Sequence, residues 1–319
     1  MTRGAPHSSS DLFEKIAARQ PGICLYGFAP PKRSLPAAEV AAIAAQQVQR
    51  LHSLDLDGVI VYDIQDEAER SAEPRPFPFL PTVAPDEYAE QQLAALELPK
   101  IVYRSVGKDT PESFTRWLAA RTPPALSVLV GAASRRAQPG LGLRDAYALA
   151  AQHVPGLTLG GIAIAERHER KLDEHERILD KTASGCRFFV TQAVYDVSST
   201  LSLLSDYALA VTSTGTEPAP IILTFSPCGS EKTLAFMKWL GIRFPRWLEN
   251  ELRHARDPLA SSFALCERIF LEVWGYARDR GIPLGVNVES VSIRKAEIEA
   301  SLALARTLAA HLRPLAPTR

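Results

Sequence analysis

The 319-residue sequence predicts a single (β/α)8 barrel with extra helices before the last strand. Two observations lead there. Short apolar runs alternate with longer amphipathic ones along the whole chain, and no Gly/Ser linker or break in composition divides it. An open doubly wound sheet would give the same alternation and is the runner-up fold.

Residues 1–20 read as a tail and a short leading helix, and residues 21–319 as the barrel. The first strand is Ile23 to Phe28, ending at Pro30-Pro31-Lys32, and an Ala-rich helix follows from Leu35 to Ser53. Gly58 to Tyr62 is the second strand. The segment Ala72 to Pro85 carries five prolines among aromatics, so it is neither a helix nor a central strand. A loop of that length is usually functional, often a lid; Phe77 and Phe79 would cover a bound ring or, equally, pack on the barrel mouth. Asp86 to Leu96 is a helix, Lys100 to Val106 a strand, and Thr110-Pro-Glu112 opens a helix with an N-cap and a first-turn proline. Ala125 to Gly131 is a strand and Leu143 to His153 a helix. Leu157 to Ala163 reads as a buried strand, Lys171 to Ser184 as a helix stopped by Gly185, and Arg187 to Thr191 as the sixth strand. A helix from Val197 to Ala208, a strand from Pro220 to Phe225 and a helix from Ser230 to Trp239 come next. Arg243 to Ala255 and Pro258 to Arg280 are the extra helices. Leu284 to Val288 and Ile293 to Leu312 close the pattern.

Lys+Arg and Asp+Glu balance at 36 each, which gives no electrostatic footprint for nucleic acid or an anionic membrane. No apolar run reaches the roughly 20 residues that span a bilayer, and the N-terminus lacks a secretory apolar segment. A cytoplasmic protein is expected. Cys24, Cys186, Cys228 and Cys266 show no metal-ligand spacing and read as buried free thiols. Oligomeric state stays open, a homo-oligomer included.

In a barrel the chemistry gathers at strand C-termini. That rim contains Asp63 to Glu67, Tyr103, Gly131 to Arg136, Glu166-Arg-His168, Gln192, Ser226 to Ser230 and Asn287-Val-Glu289. It is rich in carboxylates and hydrogen-bonding groups. Only one rim histidine is present, so no metal site is expected. Glu166, His168 and Gln192 should sit together. Asp63 and Gln65 lie nearest the second strand's end, where a carboxyl with a raised pKa would serve as an acid; a solvated acidic loop is the plainer reading. The loop Ser226-Pro-Cys-Gly229-Ser230-Glu-Lys232 would suit a phosphate at a helix N-terminus. Gly140-Leu-Gly142 lacks the third glycine and the preceding strand of a dinucleotide fingerprint.

Glu166-Arg-His168, Lys181, the run Gly185-Cys-Arg-Phe-Phe-Val-Thr191-Gln192 and Asp196 together resemble the methylenetetrahydrofolate reductase family. Pro30-Pro31 after the first strand resembles it too. The resemblance implies reduction of 5,10-methylenetetrahydrofolate to 5-methyltetrahydrofolate with NAD(P)H, and FAD as hydride carrier. It implies flavin contacts at Tyr103, Gly131, Ala132, Glu166, His168 and Lys181, and a pterin contact at Gln192. The chain departs from the pattern at several positions. Gly27 stands where the family has its general-acid glutamate, Tyr103 replaces a histidine, Ile164 a tyrosine, Arg177 an asparagine and Asp180 an arginine, while Glu174 stands for an aspartate. With that acid missing, Asp63, Gln65 and Glu289 are the catalytic candidates. A flavin-free reductase, a folate-binding barrel without reductase activity, and a barrel enzyme acting on a phosphorylated substrate are the alternatives.

Overall fold

The structure is a computed structural model and describes residues 11–66, 74–131 and 140–312. Eight parallel strands close into a barrel in sequential order. They are β1 (Cys24–Phe28), β2 (Gly58–Val61), β3 (Lys100–Ser105), β4 (Ala125–Val130), β5 (Leu157–Ala163), β6 (Cys186–Ala193), β7 (Ile221–Phe225) and β8 (Leu284–Glu289). Both faces of these strands are buried, one toward the barrel axis and one toward helices, which is why they read as unbroken apolar runs.

The barrel interior is filled by Ile23, Leu25, Ile60, Ile101, Leu126, Val128, Phe188, Val190 and Ile222. The leading helix α1 (Asp11–Ala17) belongs to this interior layer rather than to a separate tail. Its Leu12 and Ile16 are buried among the strand side chains and plug the floor. A Cβ on Gly58 would lie 2.7 Å from Leu12 Cδ2, so the plug requires glycine there. Lys15 completes the floor by pairing with Asp57 at 2.6 Å, and Asp57 also accepts from the Cys24 backbone N–H.

The outer layer comprises α2 (Ala37–Leu51), α3 (Pro85–Glu87, continued by a π turn over Tyr88–Gln92), α4 (Pro111–Ala119), α5 (Leu143–His153), α6 (Ala165–Lys171), α7 (Glu174–Ala183), α8 (Val197–Thr214), α9 (Glu231–Trp239), α10 (Arg246–His254), α11 (Pro258–Arg278) and α12 (Lys295–Leu312). Thr110 caps α4 in a reciprocal capping box with Ser113. The expected helix from Lys171 to Ser184 is two helices: Leu172 turns left-handed with φ 55°, ending α6, and α7 restarts after Asp173. The extra helices α10 and α11 stand before β8 as expected. No helix among the described residues is long and apolar enough to cross a membrane. All four cysteines are free and buried, and burial raises Cys24, Cys228 and Cys266 to about 12 and Cys186 to about 11.

Candidate active site

At the C-terminal end of the barrel, β1, β2, β7 and β8 bring together a connected polar group. Asn287 on β8 is fully buried; its Nδ2 donates to Tyr62 Oη at 2.8 Å and to Thr224 Oγ1 on β7 at 3.2 Å. Tyr62 also lies close enough to Glu289, the last residue of β8, for the two to interact electrostatically. Asn287 and Glu289 are two apart on one strand, so they share its inward face. Burial pushes the Glu289 carboxyl up to about 7, and the nearby Tyr62 hydroxyl only partly offsets this. Desolvation first, and the nearby Glu289 charge second, hold the Tyr62 and Tyr103 hydroxyls well above their usual range. Tyr103 meets Tyr62 edge-on with centroids 4.9 Å apart. Asn287 Oδ1 is a buried acceptor without a protein partner.

The register sets Glu289 beside position 27. Gly27 on β1 is paired with Glu289 on β8. A Cβ at position 27 would stand 2.7 Å from Tyr62 Oη and 2.8 Å from its Cε2, so the tyrosine fills the space a side chain there would need.

The other expected site residues fall into separate groups. Asp63 is nearly buried and is engaged three ways: it accepts from the Ser105 backbone N–H at 2.8 Å, from Gln65 Nε2 at 2.6 Å, and pairs with Lys108 at 2.9 Å. Asp63 thus ties the ends of β2 and β3 together, and Gln65 braces Asp63. Gly131 ends β4 against Leu143, and Ala132 lies outside the described residues. Glu166 and Gln192 line one crevice beside β6, whose volume of about 10 Å³ holds no more than a water. Gln192 Nε2 donates to the Leu240 carbonyl at 2.7 Å. A bulge precedes it: the β6–β7 register shifts between Val190 and Ala193, where Thr191 Oγ1 accepts the Thr224 N–H. Glu166 accepts from the Arg243 N–H at 3.4 Å, and burial raises its carboxyl.

His168 departs from the expected grouping. It lies within the short helix α6 and is fully buried against α8, with Nε2 3.0 Å from Asp206 Oδ2, while Gln192 is held by the segment after α9. Lys181 is likewise turned inward: its Nζ donates to the Ile162 carbonyl at 2.6 Å, and burial lowers its pKa. Buried Glu174 accepts the Ile164 N–H and pairs with Arg167 at 3.0 Å.

The proline-rich segment crosses part of the rim. Arg33 N–H donates to the Pro81 carbonyl and Val83 N–H to that of Pro31, fastening it to the loop after β1. Farther along, Phe77 packs edge-on to Phe236 of α9 at 5.2 Å, and Arg75 lies 5.0 Å from the Trp239 ring. The helix N-terminus after β7 is already occupied: Glu297 is buried there, with both carboxylate oxygens 3.0 Å from Thr233 Oγ1. That carboxylate stands where the sequence reading put a phosphate. A larger cavity of about 510 Å³, lined by Arg19, Trp274 and Leu284, lies at the opposite, N-terminal end of the barrel.

Thr224 and Asn287 were not singled out by sequence reasoning as a pair. The available signal was their position: polar residues on inward-facing registers of otherwise apolar strands.

The structure is a closed (β/α)8 barrel with a half-buried carboxyl, its pKa pushed up to about 7, at the C-terminal mouth. No family model and no curated protein matches the chain. Among solved structures, an uncharacterized protein from Clostridium thermocellum that binds two copies of 5-methyl-5,6,7,8-tetrahydrofolic acid superimposes with a TM-score of 0.84. It is 44% identical over 94% of this chain and 99% of its own. The chain belongs to the family of that folate-binding barrel. A GH113 β-1,4-mannanase, 13% identical over 90% of this chain and 99% of its own at a TM-score of 0.52, shares the fold alone.

Proposed function

We propose that the chain binds a reduced folate at the barrel mouth and reduces 5,10-methylenetetrahydrofolate to 5-methyltetrahydrofolate with NAD(P)H. The observation that carries this reading is Glu289, a carboxyl raised to about 7 and set in register beside Gly27. The 44% identical relative that binds 5-methyltetrahydrofolate supports the choice of substrate.

The reaction needs one hydride and one proton. The bond between the bridging carbon and N10 breaks, and the hydride joins that carbon to make the methyl group. The electron pair left on N10 takes the proton from Glu289, and the nicotinamide leaves oxidised. A carboxyl with a pKa near 7 is protonated in a useful fraction at neutral pH and still gives its proton up readily. Tyr62, steadied by Asn287, orients that carboxyl. Gln192, its amide plane fixed by the Leu240 carbonyl, is our choice for the pterin contact. Asp63, braced by Gln65, acts by holding the β2 and β3 ends.

FAD would supply a two-electron relay between nicotinamide and folate. Among the described residues carried over to its site, His168, Lys181 and Tyr103 are engaged in internal contacts and Glu166 with the Arg243 backbone. That set does not form a cradle for a flavin ring, and our reading takes the hydride directly from the nicotinamide. A second reading, a folate-binding barrel without reduction, is favoured by the 5-methyl ligand of the relative.

Anaerobic mixing of the purified protein with methylenetetrahydrofolate and NADH or NADPH, after its absorbance spectrum is recorded, separates these. Turnover by a colourless protein supports the first reading. A yellow protein that bleaches with NAD(P)H restores the flavin route. Binding of 5-methyltetrahydrofolate with no turnover supports the second.

A further inference from the structure

Outside the barrel, three side chains with no part in the chemistry above meet where α6, α7 and α8 pack. His168 is fully buried, and Asp206 Oδ2 lies 3.0 Å from its Nε2. His175, on the first turn of α7, stands edge-on to His168 with ring centroids 5.3 Å apart. One ring nitrogen of each imidazole and one oxygen of Asp206 all fall within 4.8 Å of one another. Each imidazole also has a buried Nδ1 with no hydrogen-bond partner. His168 turns its Nε2 toward Asp206, and the unpartnered ring nitrogen on His175 beside that pair points to a missing occupant, because buried ring nitrogens are ordinarily satisfied.

We propose that His168, His175 and Asp206 form a binding site for a divalent metal ion of the zinc type, linking three helices of the outer layer. Two imidazoles and a carboxylate suit zinc, which takes such ligands at about 2.0–2.2 Å in tetrahedral geometry. Two ligand atoms at that distance stand roughly 3.3 Å apart. The His168–Asp206 pair is already near that separation, at 3.0 Å. His175 has to close by about 1.5 Å at most to join them, a side-chain adjustment for a half-buried residue at a helix start. A simple His–Asp hydrogen bond accounts for the 3.0 Å contact alone. It leaves His175 and its unpartnered ring nitrogen without a role.

The surroundings favour a cation. Arg167, next to His168 in sequence, is neutralised by buried Glu174 at 3.0 Å, and Arg177 pairs with Asp173. Asp206 contributes the one carboxylate, and its side chain is 42% exposed, which gives the ion a path from solvent and leaves room for a water as fourth ligand. Positions 168, 175 and 206 follow no ligand spacing and are assembled only by packing. An ion here would pin α6, which carries Glu166 against the segment containing Arg243. The site makes no demand on folate binding and stands or falls separately from the function proposed above.

The test is a calorimetric titration of the chelator-treated full chain with zinc. The expected result is one ion per chain, with affinity reduced about tenfold or more in His175→Ala and in Asp206→Asn. Both variants change partly exposed side chains, and melting in chelator shows whether they fold as the wild type does. X-ray absorption at the zinc edge of the loaded wild-type protein gives an answer independent of any variant: two imidazoles and oxygen are expected. No bound zinc, unchanged affinity in both folded variants, or sulfur in the coordination shell would overturn the proposal.

Discussion

Glu289 stands in register beside Gly27 across the β1–β8 pair, and the ring of Tyr62 occupies the space that a side chain on Gly27 would need. Neighbouring strands are about 4.8 Å apart, so a carboxyl on β8 reaches the same arc of the mouth as one on β1. On the reading proposed here, the acid has moved one strand rather than disappeared. Tyr62 then does two things: it excludes a side chain at position 27 and holds the relocated carboxyl.

Glu289→Gln should therefore cost the methylenetetrahydrofolate reduction about 10²-fold or more in rate, the range general acids contribute. Affinity for 5-methyltetrahydrofolate should change little, because the amide keeps the shape and the Tyr62 contact. In the wild type the acid must be protonated, so kcat/KM should fall as pH rises through about 7, and the residual rate of the variant should lack that step. Steady-state rates across pH 6 to about 9 check both, and a variant as fast as the wild type would remove Glu289 from the mechanism.

The same carboxyl gives a stability signature. Its folded pKa of about 7 lies above the ordinary 4.5, so between those values the folded state binds more protons than the unfolded chain. Stability then falls as pH rises through that window and levels off above it, a loss of about 3 kcal/mol if fully expressed. Glu289→Gln carries no such cost. It should melt above the wild type at pH 8 and close to it at pH 5, a comparison made by calorimetry. A pH-independent difference would mean that the carboxyl titrates normally.

How far the residues announced all this depends on the kind of feature. The eight strands were legible because each is buried on both faces, and α5 and β5 match their expected bounds to the residue. The break after Lys171 was not, because an exposed Leu172 in a left-handed turn carries none of the glycine or proline signals that mark such stops. The rim could be enumerated from strand ends, yet which rim residues point at one another could not. His168 and Lys181 matched a familiar pattern in sequence, and here Asp206 and the Ile162 carbonyl engage them. Those partners lie 38 and 19 residues away in the chain, on separate elements. The register of Gly27 with Glu289 needs the barrel closed, which no local pattern states.

The crowding at Gly27 can be measured directly. Gly27→Ala puts a methyl group against the Tyr62 ring and should destabilise by about 1–3 kcal/mol, the usual cost of overpacking. Tyr62→Leu removes the ring and should recover most of that loss in the double variant. The coupling energy of the cycle, read from denaturant melts, should be about 1 kcal/mol or more. Additive effects would mean that the two positions do not meet.

The N-terminus of α9 yields the remaining test, which bears on the rival idea of a phosphorylated substrate. Glu297 is buried, with its carboxylate on Thr233 Oγ1, its Cγ 3.0 Å from the position of a Cβ on Gly229, and Arg294 3.3 Å away. Ser230 meanwhile caps the helix by accepting the Thr233 N–H. A protein carboxylate thus already sits near the positive end of the helix dipole, and a second anion there would be repelled. Inorganic phosphate should leave the melting temperature of the wild type unchanged at concentrations that saturate ordinary phosphate sites. Glu297→Ala should lose about 1–3 kcal/mol, since Thr233 Oγ1 loses both carboxylate contacts in a buried place and keeps only Ser230 Oγ. Phosphate should then stabilise the variant, because the space and the helix end become available together. Stabilisation of the wild type by phosphate, with none in the variant, would instead make this loop an anion site that uses Glu297 and would reopen the phosphorylated-substrate reading.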